Sequence, residues 1–481
     1  MKVNINQMSA PFNMESDTTP SPEERDWLEW IDTLPSTLRP VYAILEPNQP
    51  IALYTGPLQL TQEINQRTVE MYGHGGVEFA WFPQPCIKFE LLNNDSSSCW
   101  INVSVDCSLT LVELETSVKV GVLRFHSQDR ENLISGIMKE PLIQGSNEDL
   151  ACVLFHVANF HDFIGSDNTV LIQDSRRQIS RNRITFEVES WRLTLDQLKT
   201  TKSNVDLLNS TGGFAVTHVG KLEKSDGGIF SGGEARAFLN GFADFLSFAR
   251  GFRVPLVLLV GYDADKNEAW KYSAPSRGDS WRGVSSWFPT QDAGCLTQVF
   301  PGFLKWWQDW ERSALIALSW YLESNANPLA EQKIILSQVA LELIAWVLLV
   351  EKELTVSPEG FDKLPASDKL RLLLSKFRIP LHIPRIPLTS PLADLAKLSS
   401  SSKWLDGPHA FTEIRNGLIH PKKRQKIFDA PSGARSDAGE LGLLYFELVL
   451  LGIFAYQGIY ASRLPKLRYN GETEPVPWAK S

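Results

Sequence analysis

The stretch GFLKWWQDWERSALIALSWYLESN, residues 302–325, marks a change in the pattern of the chain. Phe303, Trp306, Trp307 and Trp310 recur at i, i+3, i+4 and i+7, which places them on one face of a helix. An aromatic stripe at this spacing belongs to a core rather than to a cofactor site. Upstream the periodicity is that of strands. ITFEVESWRLTL, residues 184–195, alternates Ile184, Phe186 and Val188 before Trp191, Leu193 and Leu195. SCWINVSVDCSLTLVELET (98–116) and VPLVLLVGYD (254–263) are rich in β-branched residues and end in turn residues. Hairpin punctuation recurs at Asp226-Gly227-Gly228 and over Asp263–Asn267. One helix interrupts, GGEARAFLNGFADFLSFARG (232–251), with Phe238, Phe242, Phe245 and Leu246 at helical steps and Gly251 as its stop.

Downstream of Pro301 the helical period persists. It runs through LAEQKIILSQVALELIAWVLLVEKEL (329–354), ASDKLRLLLSKF (366–377), stretches around 389–398 and 407–419, and an apolar segment over 438–461. A proline-broken loop, IPLHIPRIP, interrupts it at 379–387. The expected fold class is therefore α+β and multidomain: a β-rich N-terminal region followed by an all-α helical bundle. The expected divisions are a mobile tail over 1–25, a β-rich sensor or regulatory region over 26–300 with room for two subdomains split near 130–150, and a bundle of five or six helices over 301–470. No internal repeat is visible.

At 481 residues, 43% of them apolar, the chain is long enough for two or three domains. Its net charge of −9 excludes nonspecific nucleic-acid binding by the whole surface, so any polyanion site must be a local patch. Cys86, Cys99, Cys107, Cys152 and Cys295 show neither CxxC nor Cys/His zinc spacing, which implies free thiols in a reducing cytoplasm. The first 25 residues are polar and lack the apolar run of a signal peptide. Leu441–Tyr460 carries one charged residue, Glu447, over a length that could span a bilayer, but Gly442, Gly452, Gly458 and Glu447 fit a helix packed in a bundle.

The chemistry concentrates in EIRNGLIHPKKR, residues 413–424. Arg415 offers a permanently charged planar fork suited to a phosphate. His420 can exchange a proton near neutral pH, and Pro421 disfavours helix at His420, so the imidazole belongs at a helix end. Asn416, four residues before His420, can orient the ring or hold a phosphate oxygen. On an ideal helix Arg415 and His420 are offset by roughly 140°, so one copy converges on a phosphate only if the helix end unwinds or a second subunit contributes. Lys422, Lys423, Arg424 and Lys426 add attraction for an RNA backbone, although such a run is by default a solvated face. These residue types suffice to cleave RNA without a metal or other cofactor, because the ribose 2′-hydroxyl is an internal nucleophile.

Arg415-Asn416-Gly417-Leu418-Ile419-His420 resembles the R-x4-6-H signature of HEPN domains, and SQVALELIAWVLLVEKEL resembles the long early helix of that fold. The resemblance implies an α-helical bundle, a homodimer, and one metal-independent endoribonuclease site built where two motif copies meet. Arg415 and His420 would then be catalytic and Asn416 supporting. GGFAVTHVGKLEKSDGG (212–228) and FADFLSFARG look similar to the N-terminal modules of bacterial ApeA-type HEPN proteins. That similarity implies antiviral, abortive-infection or toxin-type defence in the cytoplasm, with a phage-derived trigger or an antitoxin as further partner. Two other readings stay open: a non-catalytic HEPN module that binds RNA, nucleotide or protein, and a basic RNA tether whose activity lies in the β-rich part.

Other residues attract plainer readings. Glu342 is a carboxylate in an apolar stretch, supporting the motif if it pairs with Arg415 and otherwise fixing helix packing. The arginines of RRQISRNR (176–183) suit a solvated hairpin, and His156, His161 and His218 suit core or surface positions. DADKNE (263–268) lacks the glycine and closing glutamate of a calcium loop.

Overall fold

The computed structural model describes residues 22–44, 46–64, 67–93, 101–102, 105–128, 131–173, 176–327, 329–383, 392–420, 432–464 and 472–479. The expected tail thus falls outside the described residues as far as 21, and helix α1 occupies Pro22–Thr33.

Six antiparallel strands close a barrel: β1 (Ile51–Ile64), β2 (Arg67–Ala80), β3 (Cys86–Asn93), β4 (Cys107–Leu111), β5 (Thr116–Gln128) and β6 (Glu131–Met138), in the order β1-β2-β3-β6-β5-β4. Alternate residues fill the interior, among them Leu58 and Leu60, Val77 and Phe79, Phe89 and Leu91, and Leu109 and Leu111. Gly136 is required by this packing, since a Cβ there would lie 2.2 Å from the Gly121 carbonyl oxygen and 2.7 Å from the Phe89 ring.

The next eight strands form one sheet. They are β7 (Leu142–Gly145), β8 (Cys152–Ala158), β9 (Asp167–Gln173), β10 (Arg176–Val188), β11 (Trp191–Gln197), β12 (Val216–Lys224), β13 (Leu256–Tyr262) and β14 (Glu268–Ser273), in the order β7-β14-β13-β8-β12-β11-β10-β9. The alternation over 184–195 becomes the β10/β11 ladder, with Ile184 opposite Leu195, Phe186 opposite Leu193 and Val188 opposite Trp191. Helix α2 (Thr201–Thr211) precedes β12, and α3 (Gly232–Arg250) follows it. A reciprocal capping box between Ser231 and Glu234 starts α3, and Gly251, at φ 85°, stops it.

Helices then run α4 (Gly294–Trp310), α5 (Arg312–Ala326), α6 (Ala330–Trp346, continued by a π-helical turn over Val347–Lys352), α7 (Pro358–Lys363), α8 (Ala366–Lys376), α9 (Ala393–Ser402), α10 (Gly407–Ile419) and α11 (Ser432–Ile453). Two short strands, β15 (Ile459–Ala461) and β16 (Thr473–Pro475), pair antiparallel after them.

This architecture corrects the expectation of a β-rich region followed by an all-α bundle. The β part is a closed barrel and a broad antiparallel sheet, and the helical part is not a free-standing bundle. Its aromatic residues continue the core of the sheet. Phe300 of α4 lies 5.5 Å from Phe186 of β10 and 4.9 to 5.9 Å from Phe238, Phe242 and Phe245 of α3. One buried cluster extends from Val153 and Leu193 in the sheet to Leu341 in α6 and Val449 in α11. The helices therefore bury their apolar faces partly on β structure, and a β-hairpin closes the segment.

The chain divides into two compact units. The smaller combines the residues up to Thr37 with Asn168–Arg181 and is held by an Asp32–Arg177 ion pair and a Thr37 N–H bond to the Val170 carbonyl at 3.2 Å. The larger comprises Leu38–Asp167 and Asn182–Ser481 and carries every side chain considered below. Ala330–Lys352 has the length and apolarity of a membrane span, and most of it is buried inside the fold. Cys86, Cys107, Cys152 and Cys295 are free thiols, and Cys99 lies outside the described residues.

Candidate functional site

Helix α10 carries the motif, and its neighbours hold it from both ends. Asp406 is the N-cap: its Oδ1 accepts from the His409 N–H at 2.9 Å, while both carboxylate oxygens receive the Arg371 guanidinium of α8 at 2.7 and 3.0 Å. Phe411 and Ile414 face the core. Phe411 sits against a gap in α11 that only glycine leaves: a Cβ on Gly442 would be 2.6 Å from the Phe411 ring and from Ser337 Oγ of α6.

These contacts leave the next positions of the helix nearer to solvent. Arg415 is half-buried. Its Nη1 donates to Asn416 Oδ1 at 3.4 Å, and Asn416 Nδ2 donates to Glu413 Oε1 at 3.4 Å. Arg415 Nε is shielded from solvent and has no hydrogen-bond partner among the described residues. The helix ends at Ile419, and His420 takes extended backbone (φ −103°, ψ 113°), its N–H donating to the Asn416 carbonyl at 2.9 Å. The His420 side chain is exposed. A guanidinium with spare donors, an amide that bridges it to a carboxylate, and an exposed imidazole at the helix end thus lie within one turn and a half. No hydrogen bond joins Arg415 to His420 among the described residues. Lys422, Lys423, Arg424 and Lys426 lie outside the described residues. Glu342, half-buried on α6, accepts from Gln338 Nε2 at 2.7 Å, and no ion pair joins it to Arg415 among the described residues.

A second constellation went unread in the sequence. A cavity of about 300 Å³ opens between α3, β13, the loop after β14 and α5. Arg236, Arg253 and Arg277 line it, together with Tyr272, Asn240 and Asp244. The Arg236 guanidinium lies 4.2 Å over the Tyr272 ring. Arg253 pairs with Glu323 at 2.6 Å and sits 3.9 Å from Asp279. Asp244 Oδ2 accepts from Trp307 Nε1 at 2.9 Å, and burial raises its carboxyl above the usual carboxylate range. These arginines come from a helix, a helix-to-strand link and a loop, so no linear motif announces them.

The histidines of the sheet sit in the core. His156 and His218 are fully buried, and burial lowers them to about 4 and about 3.

Comparison with known proteins gives two domain matches and one full-length likeness. Residues 145–284 match the YopA central domain, and residues 307–474 match the YopA C-terminal domain. The chain is 30% identical over 446 residues to the SPbeta prophage-derived uncharacterized protein YopA of Bacillus subtilis (strain 168), covering 90% of this chain and 95% of that protein. No solved structure matches.

Proposed function

The chain belongs to the YopA family, and from that premise and the end of helix α10 we propose that it is a metal-independent endoribonuclease whose site is Arg415, Asn416 and His420. The observation that carries the reading is the Arg415 guanidinium, half-buried with its Nε unpartnered among the described residues, on the same helix end as the exposed imidazole of His420. A guanidinium in such a setting is desolvated enough to bind a phosphate strongly and still keeps donors for it. In the proposed reaction the ribose 2′-hydroxyl attacks the adjacent phosphodiester. His420 moves the proton, and Arg415 holds the charge on the phosphorane. The 5′-oxygen leaves, giving a 2′,3′-cyclic phosphate and a 5′-hydroxyl. The R-x4-6-H spacing supports this as a likeness of motif, separate from the bundle architecture that the fold has replaced.

No hydrogen bond joins Arg415 to His420 among the described residues, and an ideal helix would offset the two positions by roughly 140°, so the reading includes a homodimer in which one copy supplies the guanidinium and the other the imidazole. The prophage origin of the Bacillus relative fits a cytoplasmic role in phage conflict, with a phage-derived trigger or an antitoxin controlling the site.

The lack of a hydrogen bond between Arg415 and His420 among the described residues also favours a second reading, in which Arg415 holds an RNA phosphate and nothing is cut. One digestion separates the two. Purified protein is incubated with total cellular RNA in the presence of a chelator, and the new ends are sequenced. Cleavage predicts cyclic-phosphate ends from wild type and none from Arg415→Ala or His420→Ala. Equal cleavage by all three removes the proposal, and RNA retention without new ends favours the binding module.

A further inference from the structure

The arginine-lined cavity lies where the segment matching the YopA central domain meets the one matching the C-terminal domain. Arg236, Arg253, Tyr272 and Arg277 come from the first, and Leu315, Leu318, Ser319 and Leu322 of α5 from the second. Three arginines and one carboxylate line it, and with Arg253 paired to Glu323 the cations left to meet a ligand are Arg236 and Arg277, in a protein that is acidic overall. Arg253 is anchored by Glu323 and Asp279, which fixes its fork in place. Arg236 and Arg277 have no carboxylate partner among the described residues. Asp244 accepts from Trp307 Nε1 and forms no ion pair with Arg236 or Arg277 among the described residues.

Leu315, Leu318 and Leu322 of α5, with Val254 and Pro255, give the lining an apolar part. Asn240 and Ser319, whose side chains make no hydrogen bond among the described residues, add donors and acceptors to it. Charged, apolar and spare polar groups gathered in one lining suit a small molecule. The volume, at the lower end of the range for such sites, suits a ligand the size of one nucleotide.

We propose that this cavity binds a nucleoside monophosphate, with the phosphate held by Arg236, Arg253 and Arg277 and the nucleoside seated against α5. Three guanidiniums match a dianionic phosphate better than a single carboxylate, because each fork can take two oxygens. A ligand in this place touches both matched segments at once, so its binding stabilises their junction.

The test is calorimetric titration and thermal melting of the full chain with AMP, GMP, CMP and UMP, using adenosine as the uncharged control and inorganic phosphate as the body-less one. At least one nucleotide is expected to bind and raise the melting temperature, with adenosine and phosphate each much weaker. Arg236→Ala/Arg277→Ala is expected to weaken that binding about tenfold or more, since charged hydrogen bonds to phosphate are lost. Both residues are exposed, so the unliganded melting temperature should stay in place. Arg415→Ala should bind the nucleotide as wild type does, which separates this cavity from the α10 site. Absence of binding by all four nucleotides, equal affinity in the double variant, or loss of binding in Arg415→Ala overturns the proposal.

Discussion

The Arg463 guanidinium clasps the Glu447 carboxylate through two hydrogen bonds, Nε to Oε2 at 2.8 Å and Nη2 to Oε1 at 2.7 Å, with both side chains withdrawn from solvent. Tyr321 donates to Glu447 Oε1 at 2.5 Å, and Arg463 also reaches Asn325 Oδ1 and the Ser285 carbonyl at 2.8 Å. The one charged residue in the apolar run of α11 is therefore the anchor that ties the segment after it to α5 and to the loop before α4. A buried pair of this kind is costly to break, because the survivor is left charged in the interior. Arg463→Met should destabilise the protein by about 3–5 kcal/mol. The double variant Glu447→Met/Arg463→Met should lose less than that, since Glu447 is no longer stranded and Glu440, the other carboxylate on Arg463, keeps Lys333. Denaturant midpoints of the three proteins check the ordering, and a double variant worse than the single one contradicts it.

Acid should loosen the sheet. The Val41 N–H donates to His156 Nε2 at 3.2 Å, so the ring carries its proton on Nδ1, 3.0 Å from the Leu258 carbonyl oxygen. A second proton would set two donors against each other. His218 is stacked on Phe163, with Nε2 unpartnered among the described residues. Both rings are neutral in the fold, with values lowered by burial to about 4 and about 3. The unfolded chain takes up these protons below its ordinary value of about 6.5, while the fold does not. Their contribution is complete above about pH 6.5 and falls as pH drops from there towards 4 and 3, on the order of 3 kcal/mol each. Unfolding free energy measured between pH 7 and 4 should decline, and His218→Phe should decline less steeply. Parallel slopes for the two proteins would contradict this account.

What the sequence revealed follows from the range of the interactions involved. The β10/β11 ladder was legible because Ile184 to Leu195 is one hairpin, and α3 because its phenylalanine stripe and its stop are local. Barrel closure was not legible, since it depends on β1 pairing with β4, as in Leu58 opposite Leu111, across two intervening strands. The same limit hid the shared core. Phe300 has a helical environment in sequence, and only the fold brings it onto Phe186 of the sheet. At the candidate site the motif and the helix end could be read directly. The hydrogen bonds around Glu342 and the arginine-lined cavity could not, because their partners lie on separate elements.

The N-cap of α10 offers a graded test of how firmly the motif is held. Asp406→Asn keeps a capping oxygen for the His409 N–H but loses the charge facing Arg371. Asp406→Ala loses both. A cap is worth about 0.5–2 kcal/mol and a charged hydrogen bond about 1.5–3 kcal/mol. Thermal melts should therefore rank wild type above Asn above Ala. Equal stability of wild type and the Asn variant would mean that the charge facing Arg371 contributes nothing, and equal stability of the two variants that the capping oxygen does not.

Gly442 tests the position of the same helix from the other side. Any larger residue must push Phe411 away, because the ring and Ser337 Oγ both lie 2.6 Å from where a Cβ would stand. Overpacking of this kind costs about 1–3 kcal/mol. Gly442→Ala should lower the melting temperature and reduce RNA cleavage together. The loss of cleavage should exceed the fraction unfolded, since displacement of α10 moves Arg415 within the folded protein. Cleavage that merely tracks the folded fraction would show that the seat of Phe411 does not set the site.

The composite site makes its sharpest prediction in mixtures of two defective proteins. If one copy supplies Arg415 and the other His420, a twofold dimer holds two such pairs. An Arg415→Ala chain still offers its imidazole, and a His420→Ala chain still offers its guanidinium. Their heterodimer therefore retains one intact pair, while each homodimer retains none. Random mixing makes half of the dimers hybrid, so co-refolded protein should recover about a quarter of wild-type cleavage. Recovery requires exchange of subunits, so mixing without refolding should give less. Failure of the co-refolded mixture to cleave, although each variant folds and the wild type cuts, would mean that both residues act from the same chain.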